Sequence, residues 1–378
     1  MASPYKVPIF RLAYPQSYVN EYFTMCQQIF DEGFLTNHHF VQKFERTFAQ
    51  WTGAKYCVAT SNGTSALEII LKAIDVKGRK VLLPANTFMA CVRAIQNAGG
   101  TPELVDIDSE SGQMDLHELA EKLRPDIGAV MLVHIGGIIS KDLFKIVEMS
   151  KKHGVPLIED GSQSIGSRVG GDHCGTFGLA GSFSFFTTKV MTTGEGGAVV
   201  TNDEDFYGRL VAARQFGKSK SDATVFDQQG TNAKISEFQA ALGLLELDRI
   251  DQRVELRKKW AQLYQSQLQG TEFRPVIPVE GMTSSFYKQM ILSPYSYKDV
   301  QQHLENHSIQ MTGGVYHRPL NEQPEYSRLC GGSYPAATKF GQYHFCPPCY
   351  PELTEEEVIY VCDVLKTMKD RTSTEGRV

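Results

Sequence analysis

Seven short, apolar, β-prone runs, at 56–60, 80–84, 102–106, 129–134, 156–159, 182–186 and 198–201, punctuate the N-terminal half of the chain. Segments of helical periodicity at 65–74, 89–98, 116–123 and 141–152 lie between most of them. Such alternation predicts an α/β layer, a mostly parallel seven-stranded sheet flanked by helices. The last two runs follow each other closely, so one reversed strand is expected there. Phe40, Phe44 and Phe48 recur every four residues and predict an amphipathic helix ahead of the sheet. From 235 to 268 the residues Ile235, Phe238, Ala241, Leu242, Leu245, Ile250 and Val254 keep helical spacing. They predict one long helix leading from a large domain (1–245) into a smaller α+β C-terminal domain (246–378). A last helix is expected over 354–368, capped by Thr354 with acidic residues in its first turn, followed by a frayed polar tail at 372–378.

A chain of 378 residues has room for this two-part arrangement. A net charge of −5 without a basic run argues against nucleic acid and anionic membrane as partners. No apolar stretch is long enough to span a bilayer, and the N-terminus lacks a secretion signal, so a cytoplasmic protein is expected. The eight cysteines are scattered, and the pair in His344-Phe-Cys346-Pro-Pro-Cys349 reads as packing, with no metal site.

Chemistry concentrates at strand ends. Leu157-Ile-Glu-Asp160-Gly-Ser-Gln163 is an apolar strand ending on a carboxylate, and Lys189 sits among small, hydroxyl and apolar residues downstream. A lysine in uncharged surroundings can act as a free amine toward an aldehyde. A carboxylate at a strand end can keep the ring nitrogen of pyridoxal 5'-phosphate (PLP) protonated. Ser61-Asn-Gly63-Thr64-Ser65 offers a glycine and hydroxyls where a helix opens, a cradle for a phosphate. Phe88 follows another strand and can cover a ring, Gln163 can bond its phenolic oxygen, and Ser184 can add a phosphate contact. All lie where a parallel sheet presents its carboxyl edge, the usual ligand-binding edge.

These residues, with Phe44-Glu-Arg-Thr-Phe-Ala-Gln-Trp-Thr-Gly-Ala-Lys-Tyr56, Gly194-Glu-Gly-Gly197 and the run Asn232-Ala-Lys-Ile-Ser-Glu-Phe-Gln, give a chain that resembles the fold-type I, PLP-dependent sugar aminotransferases of the DegT/DnrJ/StrS family. The resemblance implies that Lys189 holds PLP covalently as a Schiff base, with Asp160 on the pyridine nitrogen. Gln163 then bonds the phenolic oxygen, Phe88 stacks on the ring, and Gly63, Thr64 and Ser184 hold the phosphate. Asn232 corresponds to a residue that reaches the neighbouring subunit's cofactor, which implies a homodimer with shared sites. Glu195, Lys234, Tyr316 and His317 are the candidate substrate contacts. The implied activity moves an amino group from L-glutamate, through pyridoxamine phosphate, to a carbonyl sugar in amino-sugar biosynthesis for surface polysaccharide such as lipopolysaccharide. A nucleotide-linked keto-deoxysugar is the favoured acceptor, with a nucleotide-free one such as 8-oxo-Kdo as the alternative. A PLP-binding sensor and a PLP dehydrase are the rival classes; the related dehydrases carry histidine where this chain has Lys189. Two departures from the family pattern stand out, Ala233-Lys234 in place of Tyr-Arg and Asn321 in place of a histidine.

Overall fold

In the computed structural model, which describes residues 4–222, 224–311 and 314–368, the seven expected runs form one sheet. The strands are β1 (Tyr56–Thr60), β2 (Lys80–Pro84), β3 (Thr101–Val105), β4 (Ile127–Val133), β5 (Leu157–Asp160), β6 (Ala180–Ser184) and β7 (Gly197–Thr201). Their spatial order is β1-β7-β6-β5-β4-β2-β3. Only β7 is reversed, antiparallel to both β1 and β6, as the short connection through Lys189 predicts. Alternate side chains of each strand enter two cores on opposite faces: Ala129 and Met131 join one, Val130 and Leu132 the other. Burial on both faces is why these strands read as continuous apolar runs.

The long helix expected over 235–268 is two helices, Glu237–Leu247 and Ile250–Gln267. The first starts at a capping box in which Ser236 and Gln239 exchange side-chain and backbone bonds. At Arg249 (φ −111°, ψ −5°) the backbone loosens within the right-handed helical region, and its N–H turns to the carbonyl of Glu246. The first helix is buried almost all round, whereas the second buries one stripe including Val254, Arg257, Trp260 and Tyr264. An apolar period that continues across a break conceals the break.

Beyond it lie the helices Tyr297–Asn306, Pro335–Tyr343 and Glu355–Lys366, around a small sheet of Arg274–Pro275, Ile291–Leu292 and His344–Phe345. The last helix has the expected Thr354 cap, closed reciprocally by Glu357; the tail at 372–378 lies outside the described residues. The N-terminal segment runs over this C-terminal region. Val7 bridges Ile309, and the Arg11 guanidinium donates to Glu357 at 3.0 Å. Among the described residues no helix is long and apolar enough to cross a membrane.

Candidate active site

Strand alternation puts Glu159 and Asp160 on opposite sides of the sheet. Glu159 is fully buried and takes hydrogen bonds from His134 Nε2 (2.8 Å) and the backbone N–H groups of Gly175, Phe177 and Gly178. Burial alone would raise its pKa, but these donors outweigh it and hold the carboxyl below its ordinary range. Asp160 instead faces a cavity of about 760 Å³ at the carboxyl edge of the sheet. It accepts from the Ser162 N–H at 3.0 Å and the Cys91 thiol at 3.3 Å. Among the described residues no cation pairs with it.

The same cavity meets the start of the helix Gly63–Ile74, where Asn62 caps the Ser65 N–H. A Cβ on Gly63 would fall 2.7 Å from the Cβ of Ser184, so only glycine lets this helix start approach the end of β6. Thr64 and Ser184 line the wall beside it. The result is a helix N-terminus with two hydroxyls, the donor set of an anion cradle.

Lys189 faces these groups from the connection between β6 and β7. Its Nζ stands 4.7 Å from the centroid of the Tyr287 ring and forms no ion pair among the described residues. Burial pushes the Tyr287 phenol up, but Lys189 and Lys288 pull harder, with help from the Thr188 hydroxyl, and leave it at about 8. Gln163 is fixed at both ends, accepting from the Gly136 N–H (2.7 Å) and donating to the Tyr316 hydroxyl (2.9 Å). Tyr316, in the left-handed region at φ 69°, stacks on the half-exposed Phe88 at 5.7 Å. Glu195 lines the far rim.

Gly63, Thr64, Phe88, Asp160, Gln163, Ser184, Lys189, Glu195 and Tyr316 thus surround one cavity. His317 lines the adjoining one. Asn232 and Lys234 line neither; the lysine amine donates to Asn232 Oδ1 at 2.7 Å on the surface. The thiols of Cys346 and Cys349 are buried and pushed up to about 12 and about 11. Sequence reading missed Cys91, which bonds Asp160, and Tyr287 and Thr188, which face Lys189. Cys91 lies in the first turn of the helix that begins just after Phe88.

Two buried histidines brace the loops that carry these groups. His173 Nε2 accepts from the Gly166 N–H at 2.8 Å, and His344 Nε2 from the Val315 N–H at 3.0 Å. In each ring Nδ1 faces a backbone carbonyl, that of Cys174 or Phe340, so both are neutral with the proton on Nδ1. Burial lowers them to about 3 and about 4. Unfolded, each titrates near 6.5, so their contribution is complete above about pH 6.5 and is lost as pH falls toward the folded values. Each adds a slope of about 1.4 kcal/mol per pH unit within that window. Melting temperatures recorded from pH 7 to 4.5 are expected to fall, and less steeply in His344→Asn than in the parent; equal slopes would remove His344 from the account.

The site fits PLP by its own geometry: a helix-start cradle that a Cβ would fill meets a buried carboxylate without a cation, and a lysine without a counter-ion, among the described residues. The comparisons agree. Residues 16–366 match the DegT/DnrJ/EryC1/StrS aminotransferase family. The chain is 32% identical over 331 residues to GDP-perosamine synthase of Escherichia coli O157:H7, covering 86% of this chain and 89% of that one. It is 31% identical to dTDP-3-amino-3,6-dideoxy-alpha-D-galactopyranose transaminase of Aneurinibacillus thermoaerophilus, again over 86% and 89%. Among solved structures, S. venezuelae DesV superposes with a TM-score of 0.88 at 25% identity, over 94% of this chain and 96% of that one. The fold is that of fold-type I PLP transferases, and the chain belongs to the DegT/DnrJ/EryC1/StrS family of PLP-dependent aminotransferases.

Proposed function

We propose that the protein transfers an amino group from L-glutamate to the carbonyl of a nucleotide-linked keto-deoxysugar, acting in the cytoplasm on the route to an amino sugar of a surface polysaccharide. The observation that carries this reading is the pair lining one cavity: Lys189 without a counter-ion and Asp160 without a cation among the described residues. When bound, PLP supplies the electron sink for charge developing at the donor's α-carbon. Lys189 would be its covalent attachment point and, once free, would take the donor's α-proton on Nζ in one half-reaction and deliver a proton to the acceptor carbon in the other. Asp160 keeps the pyridine nitrogen protonated, and Cys91 and the Ser162 N–H hold its carboxylate in place. The Gly63 amide, Thr64 and Ser184 hold the phosphate, Gln163 the phenolic oxygen, and Phe88 covers the ring. Tyr316, His317 and Glu195 contact substrates in their own chain's cavities, and Lys234, which lies outside them beside Asn232, does so across the dimer.

Support for the acceptor comes from the relatives, whose names specify GDP- and dTDP-linked sugars. Support for a homodimer with shared sites comes from Asn232, exposed and outside its own chain's cavity, and from the exposed aromatic rings of Phe216 and Phe226. The test is the visible spectrum of PLP-loaded protein before and after L-glutamate. Loss of the absorption of Lys189-bound PLP with release of 2-oxoglutarate supports transamination and leads to a panel of nucleotide-linked keto sugars. A spectrum indifferent to every amino acid would remove the reading.

A further inference from the structure

The Lys189 cavity opens past Gln163, Thr188, Tyr287 and Tyr316 into a second cavity of about 560 Å³. Arg257, Lys288 and Arg318 line it, and among the described residues no aspartate or glutamate does. None of the three has a carboxylate within ion-pair distance among the described residues. Arg257 is only 4% exposed. It donates to the backbone carbonyls of Cys349 and Tyr287, and its Nε has no partner. Its neighbour Arg253 pairs with Glu352 at 3.0 Å. Lys288 is half-buried, with Nζ 5.4 Å from the centroid of the same Tyr287 ring that Lys189 approaches to 4.7 Å. A buried guanidinium beside a half-buried ammonium, both without a carboxylate, is unfavourable in the free protein and becomes favourable when an anion arrives.

We propose that this second cavity seats the side-chain carboxylate of the amino donor, with Lys288 as the direct partner, Arg257 behind it and Arg318 at the mouth. The inference rests on the transamination reading, because it places the donor's amine at Lys189. In an extended dicarboxylic amino acid the distal carboxylate lies about 5 Å from the α-carbon by standard bond lengths. Lys189 and Lys288 approach the same Tyr287 ring, to 4.7 and 5.4 Å of its centroid, and the proposal sets the far end of such a donor against Lys288. The lowered Tyr287 phenol reports the same positive field. A carboxamide in place of the carboxylate would leave Lys288 uncompensated, so the cavity selects L-glutamate over L-glutamine.

The decisive variants are Lys288→Met and Arg318→Met, since neither side chain holds the backbone as Arg257 does. With PLP-loaded protein, the glutamate concentration for half-maximal conversion is expected to rise about tenfold or more in Lys288→Met, with little change in limiting rate. The corresponding value for L-glutamine stays put, and Lys288→Arg recovers most of the loss. Equal shifts for the two amino acids, or none, would overturn the assignment. Glutarate, which has no amine, reads the cavity without turnover: calorimetry is expected to find binding to the parent that weakens at least about tenfold in Lys288→Met. Unchanged glutarate binding overturns the proposal. A parent that binds glutarate through Lys288 yet never converts glutamate would sink the transamination reading while the carboxylate site stands.

Discussion

Lys189→Ala is expected to abolish turnover while leaving the fold intact. The amine is both the attachment point and the proton carrier, and loss of a positioned acid–base group alone costs about 10²- to 10⁴-fold in rate. Losing the covalent link as well takes the activity below detection. The structural cost is small because Lys189 has no ion pair to break among the described residues. Its side chain rests on the Tyr287 ring, a contact worth roughly 0.5–1 kcal/mol at such a site. A second readout separates the electrostatic role from misfolding. Lys189 is the stronger of the two lysines pulling the Tyr287 phenol down to about 8, so in the variant that phenol titrates higher, with Lys288 still acting on it. An ultraviolet pH titration following tyrosinate detects the upward move. The variant remains able to take up pyridoxamine phosphate, which needs no amine from the chain. Normal turnover in Lys189→Ala, or an unmoved Tyr287 with a native melting curve, would contradict the geometry on which the site rests.

How far the sequence carried depended on whether a group acts through its neighbours in the chain. Gly63, Asp160 and Ser184 were legible because each closes or follows a strand, and strand ends on one edge of a parallel sheet converge whatever the details of packing. The reversed β7 was legible for the same reason, since the connection after β6 is too short for a helical crossover. Cys91, Tyr287 and Lys288 were not, because their importance arises from contacts across the fold. Cys91 meets Asp160 only when its helix packs over β5, and Tyr287 reaches Lys189 from an irregular stretch containing Phe286 at φ 45°, where no period exists to be read. The break at Arg249 was hidden by an uninterrupted apolar pattern. Arg257 is an extreme case: it lies on the buried stripe of a helix whose sequence, rich in charge, suggests a solvated surface, and only the fold turns it toward a cavity.

Asp160→Asn separates function from stability in the opposite sense to most buried substitutions. Asp160 is 6% exposed and has no cation beside it among the described residues. Its hydrogen bonds, from Cys91, the Ser162 N–H and, at 3.5 Å, the Ser182 hydroxyl, are those of a group held ready for a cationic partner that the described residues do not supply. An isosteric amide keeps an oxygen to accept the Ser162 bond and removes the buried charge, so the cofactor-free protein is expected to melt no lower than the parent, within about 1 kcal/mol and in the stabilising direction. Activity moves the other way. Asparagine cannot keep a pyridine nitrogen protonated, and loss of one preorganised electrostatic contact of this kind costs about 10²- to 10³-fold in rate. Calorimetric melting of the cofactor-free protein, paired with the glutamate half-reaction of the loaded protein, reads both. A variant that melts lower and loses activity in proportion would make Asp160 a structural carboxylate like Glu159, whose four donors come entirely from the chain. A variant that is equally or more stable and nearly inactive would assign its negative charge to the cofactor alone.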